Sequence, residues 1–80
     1  MKYVYLLRSM RYPRRTYVGI TDELGNRLRE HNSGESPHTS KYGPWRLVAS
    51  IGFADEKRAR EFERYLKTGS GRAFAQRHLW

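Results

Sequence analysis

Two tyrosines, an arginine, a histidine and a glutamate carry the chemistry this sequence is equipped to do. Tyr5 and Tyr17 sit in the stretches KYVYLLR (2–8) and TYVGI (16–20), whose β-branched and aromatic residues read as strands. Only SMRYPRR (9–15), with Pro13 and three arginines, separates them. So short a link predicts an antiparallel hairpin. Alternate residues of a strand share a face, so Tyr3, Tyr5 and Leu7 point one way, and Tyr17 and Gly19 do likewise. With residue 5 opposite residue 17, Tyr5 and Tyr17 become cross-strand neighbours and Gly19 lies opposite Tyr3. A strand glycine often marks close approach of a ligand or another backbone. The plainer reading is an aromatic pair that simply packs.

Arg27 and His31 are four residues apart, which stacks them on one helix face. At about 100° per residue, Leu28, His31 and Arg27 all fall within about 60° of Leu24. Both polar residues therefore border the apolar stripe, while Arg29 and Glu30 fall on the opposite side. A guanidinium binds phosphate oxygens as a fork, and an imidazole moves protons near neutral pH. The alternative is an amphipathic edge with a snorkelling arginine and a satisfied buried histidine.

Glu63 borders a second stripe formed by Ala59, Phe62 and Leu66, at about 40° from Ala59. A carboxylate turned toward a core needs an ion pair or a metal. Mg²⁺ and Mn²⁺ prefer carboxylate oxygen and water, and an ion pair with a neighbouring arginine stays equally open. Arg60, Arg64 and Lys67 flank Glu63. His38, Lys41 and Arg46 lie in or just after a polar loop with Tyr42 and Trp45 among them. Basic loops with interleaved aromatics suit a nucleic-acid backbone and exposed bases, although any single basic side chain also serves as solubilising surface.

Elements must hold these groups in place. Residues 22–33 read as a helix with Thr21 as N-cap, Asp22 and Glu23 in the first turn, and Gly34 as the stop. Gly25 inside it costs about 1 kcal/mol relative to Ala. GESPHTSKYGP (34–44) reads as a loop and WRLVASIGF (45–53) as a third strand. Asp55 caps a second helix running to Lys67. Gly69 stops it, and Ser70 caps a final short helix with Ala73, Phe74 and Leu79. The order β-β-α-β-α-α predicts an α+β domain over residues 1–80, a small three-stranded antiparallel sheet with helices against it.

Composition narrows the classes. In 80 residues, Lys plus Arg number 16 against 8 for Asp plus Glu, a formal net charge of +8. That surplus favours a polyanionic partner such as nucleic acid. The absence of cysteine excludes a disulfide framework, a thiolate zinc site and a cysteine nucleophile. No apolar run is long enough to span a membrane. Met1-Lys2 leads straight into a strand pattern without a signal-peptide h-region, so a cytoplasmic protein is expected.

Taken in order, these features resemble the GIY-YIG nuclease family, named for two tripeptides on a β-hairpin. Here the tripeptides read Tyr3-Val4-Tyr5 and Tyr17-Val18-Gly19. Arg27 and His31 match the family's helical arginine and the histidine or tyrosine one turn later. The stretch ARAREFERYLK resembles its next helix, with Glu63 at the metal position. The likeness covers the whole chain and is closest to stand-alone domains of the excinuclease-C type. The chain departs from the pattern in Tyr3, where the first tripeptide's glycine would be, and in Ile20-Thr21, where some members carry a lysine.

The resemblance implies a divalent-metal-dependent endonuclease acting on nucleic acid, with DNA favoured over RNA and Mg²⁺ or Mn²⁺ held by Glu63. It implies that Tyr5 orients or deprotonates the attacking water and that Tyr17 positions the phosphate or the water. Arg27 stabilises the transition state, and His31 relays a proton or binds phosphate. Gly19, His38, Lys41, Arg46, Arg60 and Lys67 are the expected nucleic-acid contacts. Two other classes fit the same residues: a basic binding module without catalysis, and a nuclease subunit that needs a protein partner for specificity.

Overall fold

The computed structural model describes residues 1–80. Strands β1 (Lys2–Ser9), β2 (Thr16–Thr21) and β3 (Trp45–Phe53) form one antiparallel sheet in the order β2-β1-β3. Helix α1 (Leu24–Ser33) lies between β2 and β3 in the chain; α2 (Glu56–Tyr65) and α3 (Gly69–His78) follow. This is the expected α+β order. No helix is long and apolar enough to cross a membrane.

The central strand explains the layers. Val4, Tyr5, Leu6 and Leu7 are buried in succession, as a strand covered on both faces requires. Val4 and Leu6 pack with Ala59 and Leu66 of α2 and Ala75 of α3. Tyr5 and Leu7 pack the other way, with Trp45, Leu24 and Leu28. The sheet therefore lies between α1 on one side and α2 with α3 on the other.

In β3, period-two alternation alone would put Trp45, Leu47, Ala49, Ile51 and Phe53 on one face. Instead Leu6 pairs with Ala49 and Leu7 with Leu47, so Val48 is an extra residue that reverses the alternation. Trp45 and Leu47 thus join the α1 side, while Ala49, Ile51 and Phe53 join the α2 side. One strand feeds both cores.

The hairpin register differs from the expected one. Tyr5 pairs with Gly19, Tyr3 with Thr21 and Leu7 with Tyr17, a two-residue shift. The connecting loop takes up those residues. Ser9 N–H bonds the Arg15 carbonyl at 2.9 Å, Arg15 N–H bonds the Tyr12 carbonyl at 2.7 Å, and the Ser9 hydroxyl accepts from Tyr12 N–H at 3.0 Å. An even shift keeps every side chain on its face, so Tyr5 and Tyr17 still share one.

Helix boundaries also move. Thr21 does not cap α1: its hydroxyl accepts from Glu23 N–H at 3.0 Å, and the helix opens at Leu24. Gly34 ends α1 as expected, at φ 85°. Gly25 has no packing reason, since a Cβ there would meet only Arg29 at 3.9 Å. The loop after Gly34 contains a single 3-10 turn over Ser40–Tyr42. Asp55 caps α2 by accepting from Lys57 N–H, but α2 stops at Tyr65, short of Lys67. Thr68, and not Ser70, caps α3, its hydroxyl accepting from Gly71 N–H at 3.1 Å. Gly69 is therefore the first residue of α3. Gly71 lets α3 turn tightly against the end of α2: a Cβ there would strike the Tyr65 carbonyl and lie 2.8 Å from the Leu66 Cα.

Candidate active site

The inner face of α1 and the hairpin face beneath it hold a buried polar chain. Tyr5 and His31 are each 1% exposed. Their polar atoms meet, with the Tyr5 hydroxyl 2.8 Å from His31 Nε2. Arg27 Nε donates to the same hydroxyl at 3.3 Å. His31 Nδ1 lies 2.6 Å from the Thr39 hydroxyl. The Arg27 guanidinium also bonds Glu30 at 2.7 Å. The helical spacing of Arg27 and His31 brings both onto one phenol.

The donors assign the protons. Arginine can only donate, so the Tyr5 oxygen accepts from Arg27, and His31 Nε2 is the one acceptor within reach of the phenol's own proton. That makes His31 neutral, protonated on Nδ1 and donating to Thr39. The electrostatics agree. Burial, then the positive charge of Arg27, pushes His31 below its ordinary 6.5, with Glu30 pulling back. Burial likewise pushes the Tyr5 phenol above 10.0, against the hydrogen bond from Arg27. Arg27 is held more firmly protonated than usual by its bonds to Glu30 and then to Tyr5. Both shifts keep the proton on the phenol, so Tyr5 and His31 rest as a fixed hydrogen bond from phenol to neutral imidazole.

Thr39, Trp45 and Asn32 hold this arrangement and carry no signal in the sequence that would single them out. The Trp45 indole N–H donates to the Thr39 carbonyl at 2.7 Å. Asn32 grips the Trp45 backbone from both sides, accepting from its N–H at 2.5 Å and donating to its carbonyl at 3.1 Å. The buried loop threonine is thereby tied to both α1 and β3.

Tyr17 stands beside the chain and opens outward. Its ring centroid is 4.9 Å from that of His31 and 6.2 Å from that of Tyr5. The ring is half-buried, and its hydroxyl has no hydrogen-bond partner within the protein. Tyr17 also lines a cleft of about 440 Å³ along the free edge of β2, with Lys67, Arg72, Gln76 and Trp80 among its walls. Arg72, Gln76 and Trp80 are cleft residues that sequence reasoning missed, because only the folding of α3 against β2 brings them there.

Glu63 comes from the other layer. Its side chain is 14% exposed and paired with Lys67 one turn along α2. No hydrogen bond or ion pair joins it to Tyr5, Tyr17, Arg27 or His31. The link to Tyr17 runs around the β2 edge, through Lys67 and the shared cleft. No cluster of three or more His, Cys, Asp or Glu side chains exists. A lone carboxylate suits a hard divalent cation that keeps most of its coordination for water and phosphate, and does not suit a zinc cage.

The expected nucleic-acid contacts are scattered. His38, Lys41 and Arg46 are exposed around the loop before β3. Arg60 is paired with Glu56 and Lys67 with Glu63. Gly19 is buried, and the Tyr5 ring fills the space over it.

Residues 1–76 match the family described as the GIY-YIG catalytic domain. The chain belongs to the GIY-YIG family. It is similar to the structure-specific endonuclease subunit SLX1 of Candida dubliniensis, at 39% identity over 95% of this chain and 28% of that protein. The SLX1 homolog of Giardia intestinalis is 38% identical over 76% of this chain and 18% of its own length. This GIY-YIG chain thus spans less than a third of these curated relatives. Among solved structures, the solution NMR structure of a UPF0213 protein from Bacillus halodurans aligns with a TM-score of 0.56. Their identity is 33%, with 95% of this chain and 81% of that one covered.

Proposed function

We propose that this GIY-YIG domain is a divalent-metal-dependent endonuclease that hydrolyses phosphodiester bonds in DNA, in the service of repair or recombination. The observation that carries this reading is the Tyr5 hydroxyl, held by Arg27 at 3.3 Å and His31 at 2.8 Å, next to a tyrosine that opens onto a basic cleft.

The geometry divides the work between the tyrosines. Tyr5 is sealed from solvent, so it acts by position, its hydroxyl fixing Arg27 and the His31 ring beside the cleft. Tyr17, half-exposed with a free hydroxyl, faces the attacking water or the phosphate. Arg27 is partly exposed, with 35% of its side chain accessible, and turns its positive charge toward developing charge on the phosphate. Lys67 and Arg72 hold phosphate oxygens along the cleft. Glu63 would hold Mg²⁺ or Mn²⁺ once Lys67 releases it. The bound ion would add positive charge at the phosphate and the leaving oxygen.

A second reading concerns assembly. The SLX1 relatives are named as subunits, and this chain matches only 28% of one and 18% of another. A protein partner that supplies substrate specificity fits that pattern.

The test is a cleavage assay. Wild type and Glu63→Ala would meet labelled single-stranded, double-stranded and branched DNA, and RNA, with Mg²⁺, Mn²⁺ or EDTA. The expected result is metal-dependent cutting of DNA by wild type alone, with binding retained in Glu63→Ala. Full activity in Glu63→Ala would remove the metal assignment. Binding without cutting by wild type would favour a binding module or a subunit awaiting its partner.

A further inference from the structure

The face of the molecule at the β1–β2 turn carries charge that the site above does not use. No acidic residue occurs over residues 1–21 or 36–54. Those segments supply Arg8, Arg11, Arg14, Arg15, Lys41 and Arg46, and no carboxylate pairs with any of the six: the ion pairs form at Lys2, Arg27, Arg58, Arg60 and Lys67.

Two loops are knitted into one surface here. Ser9, 1% exposed, donates its hydroxyl to the Tyr42 carbonyl at 2.6 Å and accepts from Tyr12 N–H. Met10 N–H bonds the Pro44 carbonyl at 2.9 Å. The Arg15 guanidinium lies over the Tyr42 ring at 4.6 Å, and the Tyr12 ring meets Tyr42 edge-on at 5.8 Å. Met10 and Tyr12, among the chain's most exposed large apolar residues at 62% and 49%, sit among these arginines. The platform is continuous with the Tyr17 cleft through Arg8. Its guanidinium lies 5.2 Å from the centre of the Trp80 ring, a cleft wall, while it donates to the Pro13 carbonyl of the loop at 2.8 Å.

We propose that these two loops form a docking platform for an arm of the nucleic-acid substrate that carries an unpaired base. The inference rests on the nuclease reading and adds the substrate's shape to it. Unpaired guanidinium groups spread over a loop surface match phosphates. The exposed Tyr12 ring among them, with the Arg11 guanidinium over it at 5.9 Å, matches a base face once Arg11 turns to a phosphate, since stacking needs a base out of its pair. A neighbouring apolar side chain such as Met10 serves as a wedge at an opened step. Fully paired duplex satisfies the arginines but leaves Tyr12 and Met10 without partners. A duplex with a single-stranded flap satisfies both.

Binding would be measured by fluorescence anisotropy with the full chain in EDTA, at several salt concentrations. The probes are a blunt DNA duplex and the same duplex with a single-stranded flap. Three variants join wild type: Arg11→Gln/Arg14→Gln/Arg15→Gln; Tyr12→Ala; and Arg29→Gln/Lys57→Gln/Arg77→Gln, which removes equal charge elsewhere. The loop triple variant is expected to bind both probes about tenfold more weakly and to lower the salt slope by about 2–3, at about 0.9 per phosphate contact. The control triple should stay near wild type. Tyr12→Ala should lose about tenfold on the flapped probe and little on the blunt one.

Equal affinity and slope in the two triple variants would overturn the platform and leave this face to a protein partner. Equal losses on both probes in Tyr12→Ala would overturn the unpaired-base assignment. If circular dichroism shows the triple variant misfolded, the single exposed change Arg14→Glu gives the same readout. Wild-type cleavage in Mn²⁺ keeps the two ideas separate. Cutting with an indifferent platform defeats this inference alone, whereas neither cutting nor binding defeats the nuclease reading with it.

Discussion

Gly19 stands opposite Tyr5 in the hairpin, and the Tyr5 ring occupies the volume a side chain at position 19 would need. A Cβ on Gly19 would strike the Tyr5 hydroxyl and lie 2.5 Å from its Cζ and 2.8 Å from the Tyr17 ring. The glycine of the second tripeptide is thus the seat of the tyrosine of the first. That contact sets where the phenol points, and so where Arg27 and His31 find it.

Gly19→Ala should therefore displace the Tyr5 ring, destabilise the fold by about 1–3 kcal/mol through overpacking, and suppress cleavage. Adding Tyr5→Leu should recover much of the stability but none of the activity. Urea unfolding of the two single variants and the double variant, read as a double-mutant cycle, checks it. Additive losses would mean that the two residues do not compete for space.

The two tyrosines should separate when each loses only its hydroxyl. Tyr5→Phe leaves buried His31 Nε2 without its donor, at about 1–3 kcal/mol of stability, and frees Arg27 from its anchor, slowing cleavage about 100-fold through misplacement. Tyr17→Phe should slow cleavage while leaving stability almost unchanged, because that hydroxyl bonds nothing in the protein. Denaturant midpoints and single-turnover rates distinguish the two patterns.

His31 should make the protein sensitive to acid. Its folded pKa lies below 6.5 because of burial and then Arg27. Between that lowered value and 6.5 the unfolded chain binds a proton that the folded chain refuses, so stability is complete above 6.5 and falls as pH drops through this window. Cleavage should fall at the acid end of the same range, as the protonated imidazole stops accepting the Tyr5 hydrogen bond. Unfolding midpoints from pH 7.5 to 5.0 should show the loss in wild type and a flatter profile in His31→Gln.

Lys67 is paired with the Glu63 carboxylate, and a metal ion held there as proposed would have to displace it. Lys67→Ala should tighten Mn²⁺ binding by about two- to fivefold, the strength of a surface ion pair, and yet weaken substrate binding in the cleft. Mn²⁺ titration by electron paramagnetic resonance reads the first effect without any catalysis. Unchanged Mn²⁺ affinity would mean that Glu63 holds no metal.

Much of the site was legible locally. The apolar and β-branched runs defined the three strands, and the i, i+4 spacing of Arg27 and His31 put both on the edge of a buried stripe, where α1 carries them. Glu63 was legible as a carboxylate beside a buried stripe, which its 14% exposure bears out. Thr39 was not, because a buried threonine in a Ser/Pro/Gly-rich loop looks like any other until Trp45 and Asn32 fold back to hold it. Nor was the hairpin register, since the hydrogen bonds of Ser9 decide how many residues the loop consumes.

By itself, then, the sequence determined which side chains share a face, because the periods of strand and helix are local properties of the backbone. It determined the charge as well, a surplus that favours polyanionic partners. Tertiary structure alone decided which faces meet. The extra residue at Val48 sends Trp45 to the α1 side and Ile51 to the α2 side. The sheet separates Glu63 from the Tyr5–His31 chain, while their neighbours Lys67 and Tyr17 share the cleft at the β2 edge. These are long-range outcomes, set by how two cores close on one three-stranded sheet, and no local spacing encodes them.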